Sequence, residues 1–138
     1  MSFTNFLEQK VLEHVFRNVA YTSPTALYVG LFTSTPSDST AGTEVSGGSY
    51  ARQSVAFSFT SGDPSSVTNT AQITFPTATT PGFGTVTHAG IFDALTGGNF
   101  LAFAELTLSS DFATSNPKTI ATGDIFRISA GNLQVRLT

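Results

Sequence analysis

The chain has 138 residues, a formal net charge of −3, no cysteine and only 11% charged residues. This length fits one domain with a hydrophobic core, and the missing cysteines exclude disulfides and thiolate metal sites. The negative charge and the scattered basic residues argue against nucleic-acid binding. No uninterrupted apolar run is long enough to cross a bilayer, so we predict neither a nucleic-acid partner nor a membrane partner.

Serine and threonine fill most of the polar positions of this sequence. A surface of that kind packs readily against other subunits, because little charge must be desolvated on contact. A solitary cytosolic protein usually carries more surface charge for solubility. The composition therefore favours a protein that works in an assembly.

The first predicted element is a helix over residues 4–20, which Thr4 or Asn5 can cap. The segment ends before Pro24, since the residue before a proline avoids helical geometry. Its apolar residues recur at helical spacing and form one stripe: Leu7, Val11, Leu12, Val15, Phe16 and Val19. We expect this stripe, with Leu12 and Phe16 as its interaction residues, to cover the protein's own sheet or to dock on another chain.

Residues 26–33 read as a strand with apolar side chains on both faces, which predicts a central position in a sheet. Gly30 inside this strand indicates a close approach or a bulge. The polar residues 35–42 that follow lack periodicity and predict an exposed loop.

The stretch from Glu44 to Phe59 predicts a turn that becomes a strand. Gly47 and Gly48 provide the turn, and one of them is expected to adopt a positive φ. Beyond the turn, side chains alternate with a period of two, which is typical of a half-buried strand. The apolar face of that strand carries Val55, Phe57 and Phe59.

Tyr50 and Arg52 fall on the polar face at the start of the same strand. Arginine has five donors in a rigid fork, which suits a fixed contact with a carboxylate or with backbone carbonyls. Arg52 is therefore expected either to fasten the preceding loop through Glu44 or Asp93, or to contact another subunit.

The rest of the chain alternates short apolar runs with turn signals. The clearest signal is Thr96–Asn99, a predicted hairpin between strands over 85–93 and 100–108. Residues 109–117 form a second polar loop. Seven or eight short strands predict a mainly β fold: a β-sandwich, a jelly-roll-like domain or a small barrel over 26–138, with one N-terminal α-helix.

No pattern of catalytic residues occurs in this sequence. His14 and His88 lack convergent partners, and no HExxH, GxSxG or P-loop motif is present. The carboxylates are dispersed, and no EF-hand spacing supports a calcium site at Asp38 or Asp63. We therefore predict a protein that is not an enzyme and that uses no cofactor and no metal.

Two segments carry a resemblance to a known family: TALYVGLFTSTPSDSTAGTEVSGGSYARQSVAF and GTVTHAGIFDALTGGNFLAFAEL. With the N-terminal helix, they are similar to small virion proteins of tailed bacteriophages, which are labelled tail fibre, minor structural or capsid decoration proteins. The resemblance covers nearly the whole chain. It implies a repeated, non-enzymatic component of a phage particle.

From this resemblance we predict a capsid decoration (cement) protein that stabilises the head by binding major capsid protein subunits. It would be made in the host cytoplasm and act as a homo-oligomer, a trimer, on the outer surface of the head. A tail fibre or baseplate component is the alternative within the same particle. A carbohydrate-binding module for host attachment is a third reading, although the lack of tryptophan and the three tyrosines count against it.

Overall fold

The computed structural model describes residues 1–137, and within them the chain forms one helix and many short strands. The elements in chain order are β1 (Ser2–Phe3), α1 (Asn5–Phe16), β2 (Leu27–Phe32), β3 (Gln53–Val55), β4 (Phe57–Thr60), β5 (Ser65–Asn69), β6 (Ile73–Thr74), β7 (Gly84–Val86), β8 (His88–Phe92), β9 (Phe100–Glu105), β10 (Lys118–Ile120), β11 (Arg127–Ile128) and β12 (Gln134–Leu137).

The strands pair antiparallel in one large sheet and three small ones. The large sheet has five strands in the order β1-β9-β8-β2-β3. A three-stranded sheet has the order β12-β5-β4, and β7 with β10 and β6 with β11 form two-stranded ladders. The predicted mainly β fold with a single N-terminal helix is confirmed, and β2 is central as predicted.

The core lies between the five-stranded sheet and the smaller sheets. The five-stranded sheet contributes Val29, Leu31 and Ala89 from alternate positions on β2 and β8. The remaining buried residues of this cluster come from later elements and loops: Val45, Ile73, Phe75, Ala78, Phe83, Val86, Ile120, Ile128 and Leu133. Their burial supplies the main stabilising free energy, about 25 cal/mol for each Å² of apolar surface removed from water.

The opposite face of the five-stranded sheet carries packed aromatic rings. Phe32, Phe92 and Phe100 form a triangle with ring centroids 5.0–6.0 Å apart. Gly30 and Gly90 are paired across β2 and β8 on this face. A Cβ on Gly90 would lie 2.5 Å from the Phe100 ring, and one on Gly30 would lie 2.8 Å from Glu44 Oε1. Gly30 therefore marks a close approach, as predicted.

The hairpin predicted at Thr96–Asn99 is present and joins β8 to β9. Gly97 and Gly98 both have positive φ, 60° and 73°. The Asp93 carboxylate accepts hydrogen bonds from the backbone N–H and the side-chain amide of Asn99, at 2.6 and 2.7 Å. These bonds close the turn.

The helix is shorter than the predicted span of 4–20. It ends at Phe16, with Arg17 as its C-cap. Asn18 has a left-handed conformation with φ 54°, and the N–H groups of Arg17 and Val19 both bond to Glu13 O at 3.1 Å. Asparagine tolerates this conformation better than most residues, which stops the helix well before Pro24.

Two predicted continuous strands are split between sheets. The run through Phe59 divides at Ala56, so that β3 joins the five-stranded sheet and β4 joins the three-stranded sheet. Phe59 is consequently exposed rather than on a buried face. The run over 85–93 divides in the same way at Thr87, whose N–H bonds to Phe32 O. A period of two cannot show where a strand changes partner.

Candidate interaction surface

The helix is fixed to the rest of the protein at its N-terminus. Thr4 is the N-cap, and it is almost completely buried. Its hydroxyl lies 2.6 Å from Phe100 O, and its N–H donates to Leu101 O at 2.9 Å. The next N–H, of Asn5, donates to Asp38 O. These bonds hold the first turn against β9 and against the loop that follows β2.

The apolar stripe of the helix faces away from the protein. No residue of α1 is buried, and Leu12, Val15 and Phe16 are 56%, 62% and 77% exposed. Phe6, Leu7, Lys10 and Glu13 are half-buried, so Leu7 is the stripe residue nearest to the rest of the protein. Of the two alternatives, cover of the protein's own sheet does not hold for Leu12, Val15 and Phe16, and docking of the stripe on another chain stays a prediction. The stripe is free to contact another chain.

The segment after the helix folds back onto it through Tyr21. Tyr21 N–H donates to His14 Nδ1 at 3.2 Å, and the Tyr21 ring meets the Phe6 ring edge-on with centroids 6.5 Å apart. The helix itself packs against β9 and β1, and Leu12 and Phe16 stay exposed.

Glu44, Tyr50 and Arg52 form a compact cluster beside Gly30. Arg52 binds Glu44 through two parallel contacts, Nε to Oε1 and Nη2 to Oε2, each 2.8 Å. The Tyr50 hydroxyl donates to Glu44 Oε1 at 2.8 Å and accepts from Leu31 N–H at 2.9 Å. The remaining Arg52 nitrogen, Nη1, donates to the carbonyls of Ala94 and Gly97 at 2.9 and 2.8 Å.

This cluster fastens three parts of the chain together. Arg52 is held by a carboxylate and two carbonyls, as predicted, and its guanidinium carbon lies 3.4 Å from the Phe92 ring centroid. Burial raises the pKa of Tyr50 well above its ordinary value of 10, so the phenol stays protonated and keeps donating to Glu44. The cluster joins β2 and the loop before β3 to the β8–β9 hairpin.

The glycine turn presents Tyr50 and Arg52 to that cluster. Gly47 and Gly48 both have positive φ, 74° and 59°, and Ser49 continues with φ 67°. A Cβ on Gly48 would lie 2.9 Å from Gly82 O, while one on Gly47 would meet nothing within 4 Å. The turn therefore requires the freedom of glycine at both positions and the small size of glycine at Gly48.

The predicted site residues thus separate into two groups. Gly47, Gly48, Tyr50 and Arg52 are brought together, and their partners lie within the chain. Within residues 1–137 no buried side-chain nitrogen or oxygen lacks a hydrogen-bond partner. This group has no unsatisfied buried polar atom to offer a ligand. The second group is the exposed pair Leu12 and Phe16 on the helix.

Comparison with known families adds an independent observation. The family model described as Podophage GP4 fiber I protein gp80 matches residues 2–136. The chain belongs to this family. It is accordingly a structural protein of bacteriophage particles and a component of the virion. No curated protein sequence matches the chain.

The two histidines of this fibre-family chain lie in different elements, His14 in α1 and His88 in β8. His14 accepts a bond from the returning segment on the helix. His88 is the first residue of β8, with Nδ1 2.8 Å from Thr87 Oγ1. Burial lowers the pKa of His88, although Glu105 opposes the change. In the described part of the chain, no group of three or more His, Asp or Glu side chains is placed to hold a metal ion.

Two further features bear on where this family member acts. Among residues 1–137, no helix combines the length and apolar character needed to cross a bilayer. A cavity also opens between β9, β11, β12 and the loop over 106–117. The sequence pattern does not predict this cavity, because its basic residues come from strands of three different sheets.

Proposed function

We propose that this protein is a subunit of a phage tail fibre rather than a head decoration protein. The match of the fibre I family model to residues 2–136 carries this proposal. It covers nearly the whole chain, so the proposal does not depend on a shared fragment. The proposed partners are accordingly other subunits of the tail and its fibres, and no longer the major capsid protein.

We further propose that the subunit acts as a homo-oligomer. The support is the outward apolar stripe of α1, where Leu12, Val15 and Phe16 lie exposed on one helix. Water-exposed apolar side chains grouped in this way are typical of interaction sites. A trimer remains the expected stoichiometry. The proposed role is mechanical and binding rather than catalytic.

Imaging of the particle tests the tail assignment. Particles from a phage lacking this gene, compared by electron cryomicroscopy with complemented particles, are expected to lose density from the tail fibres while the head lattice is unchanged. Quantitative mass spectrometry of the same particles should give far fewer copies than of the major capsid protein. Loss of density distributed over the head surface would overturn the proposal and restore the decoration reading.

A further inference from the structure

The exposed stripe of α1 needs a counter-surface if the protein assembles as a homo-oligomer. Within its own chain α1 packs against β1 and β9, and Leu12, Val15 and Phe16 remain uncovered. Glu8 is exposed at the N-terminal end of the stripe, and Arg17 is exposed directly beyond its C-terminal end. The stripe is therefore an apolar ridge with an acidic end and a basic end.

The loop over 106–117 carries a second exposed apolar surface. Its two arms are joined by the antiparallel bridge between Thr107 and Ser115, so the loop closes as a hairpin. Leu108 and Phe112 are exposed near its tip, and Phe112 has a left-handed conformation with φ 52°. A bulky residue in this conformation is strained, and such residues cluster at functional sites.

Charged side chains flank this second surface as well. Asp111 is exposed at the tip, and Lys118 is exposed where β10 begins directly after the loop. The ion pairs found within residues 1–137 involve none of Glu8, Asp111 and Lys118. Arg17 has one long contact on the helix, 3.7 Å from Glu13. All four flanking charges can therefore take a partner from another chain.

The two surfaces match in the order and spacing of their charges. Glu8 and Arg17 are separated by about 14 Å, because the helix rises 1.5 Å for each residue. The arm from Ser115 to Lys118 alone covers about 10 Å at 3.3 Å for each residue, and Asp111 lies beyond it at the tip. An acid and a base at the ends of the ridge thus meet a base and an acid at a comparable separation.

We propose that the stripe of α1 packs on the loop over 106–117 of the next copy of this chain. Glu8 then lies beside Lys118 of that copy, and Arg17 lies beside Asp111. Leu12 and the other apolar side chains of the ridge cover the apolar tip of the loop. This inference rests on the proposed homo-oligomer and names the surface that the stripe contacts.

The contact joins two different surfaces, so it is heterologous. Heterologous contacts close into rings when the rotation between subunits allows it, which is the geometry that a trimer requires. Direct packing of three α1 helices around one axis fits the charges less well. It brings three Glu8 carboxylates together, since Glu8 is exposed beside Leu12, and like charges at an interface are unfavourable.

Disulfide cross-linking tests the contact directly, because the chain has no cysteine of its own. Val15→Cys protein is mixed with Ala113→Cys protein and oxidised, and both changes leave Phe16 and Phe112 in place. We expect a covalent dimer from this mixture, and covalent trimers from a chain that carries both changes. A mixture of Val15→Cys with Ser58→Cys is the control. It should give about tenfold less product, because proximity raises the effective concentration of the thiols.

A charge exchange tests the pairing of Glu8 with Lys118. Glu8→Lys should raise the protein concentration at half-assembly by about fivefold, since an attraction becomes a repulsion, and Lys118→Glu should do the same. The chain with both changes should regain wild-type assembly in sedimentation velocity. Glu8→Lys with Lys10→Glu has the same net charge and should not regain it, because Lys10 lies on the half-buried side of α1.

The remaining outcomes separate this contact from the oligomer proposal. Absence of the cross-link to Ala113→Cys in a protein that still assembles through its helix overturns the contact and leaves the homo-oligomer in place. Efficient cross-linking of Val15→Cys with itself places the helices against one another and also overturns the contact. A double charge variant that stays weak shows that Glu8 and Lys118 do not meet. A wild-type chain that stays monomeric at every concentration overturns the homo-oligomer itself.

Discussion

Arg52 and Glu44 form a two-point ion pair, with both nitrogen–oxygen distances at 2.8 Å and the arginine side chain only 8% exposed. The two residues lie at opposite ends of the glycine turn. Their contact converts a polar stretch into a fixed part of the fold, because Arg52 also reaches the β8–β9 hairpin.

Replacing Arg52 with alanine should strongly destabilise the protein. The change leaves Glu44 without its charged partner and frees two carbonyls, and breaking a buried pair from one side costs about 3–5 kcal/mol. Urea unfolding at neutral pH measures this loss. Arg17→Ala is the control, since the exposed pair of Arg17 with Glu13 contributes about 1 kcal/mol or less. Equal effects of the two substitutions would contradict the cluster's role.

Replacing Leu12 and Phe16 with serine should abolish self-association while leaving the isolated subunit folded. Both side chains are exposed in the single chain, so each change should alter its stability by about 0.5 kcal/mol or less. Light scattering coupled to gel filtration measures the mass of each species. Phe59→Ser is the control, because Phe59 is 69% exposed on β4 instead of on the helix. A double variant with unchanged mass would show that the stripe is not the interface.

Alanine at Gly48 should destabilise the protein more than alanine at Gly47. Both residues have positive φ, which costs a residue with a Cβ about 1–2 kcal/mol. At Gly48 the new methyl group also meets Gly82 O, and this overpacking adds about 1–3 kcal/mol. Thermal unfolding of the two variants provides the comparison, with Gly62→Ala as a control outside the left-handed region. The reverse order would refute the close approach at Gly48.

Acidification should loosen the loop that holds Phe112. A hydrogen bond from the Thr114 hydroxyl, assisted by the N–H groups of Ala113 and Thr114, lowers the pKa of Asp111 below its ordinary 3.8. The stabilising contribution is therefore complete above the unfolded-state pKa and is lost as the pH falls through the folded-state pKa. The Thr114 amide resonance should move in that acidic range, and in Asp111→Asn it should not. A wild-type resonance that stays unchanged through the same range would contradict this assignment.

Much of the fold follows from local patterns in the sequence. The hairpin at Thr96–Asn99, the central strand β2 and the close approach at Gly30 are all found where side-chain patterns predict them. The helix ends earlier than Pro24 predicts, because Asn18 adopts a left-handed conformation directly after the last turn. Asn18 itself is the sequence signal for this end, because asparagine is common at the left-handed position that follows a helix.

The direction of the helix and the cavity could not be predicted in the same way. An apolar stripe such as that of Leu12 and Phe16 indicates that something covers it, but not whether the cover is the same chain. Lys118, Arg127 and Arg136 come from three strands that belong to three different sheets. Their convergence depends on how those sheets pack, which sequence spacing does not encode.

The Arg52 contacts also join distant segments of this cysteine-free chain. Arg52 and Ala94 are 42 residues apart, and their hydrogen bond holds these segments together in the folded chain, although it does not constrain the unfolded chain as a disulfide does. Unlike a disulfide, this link needs no oxidising compartment to form and no protection from thiols. The contacts among Arg52, Glu44 and the β8–β9 hairpin are therefore independent of the redox state of the surroundings.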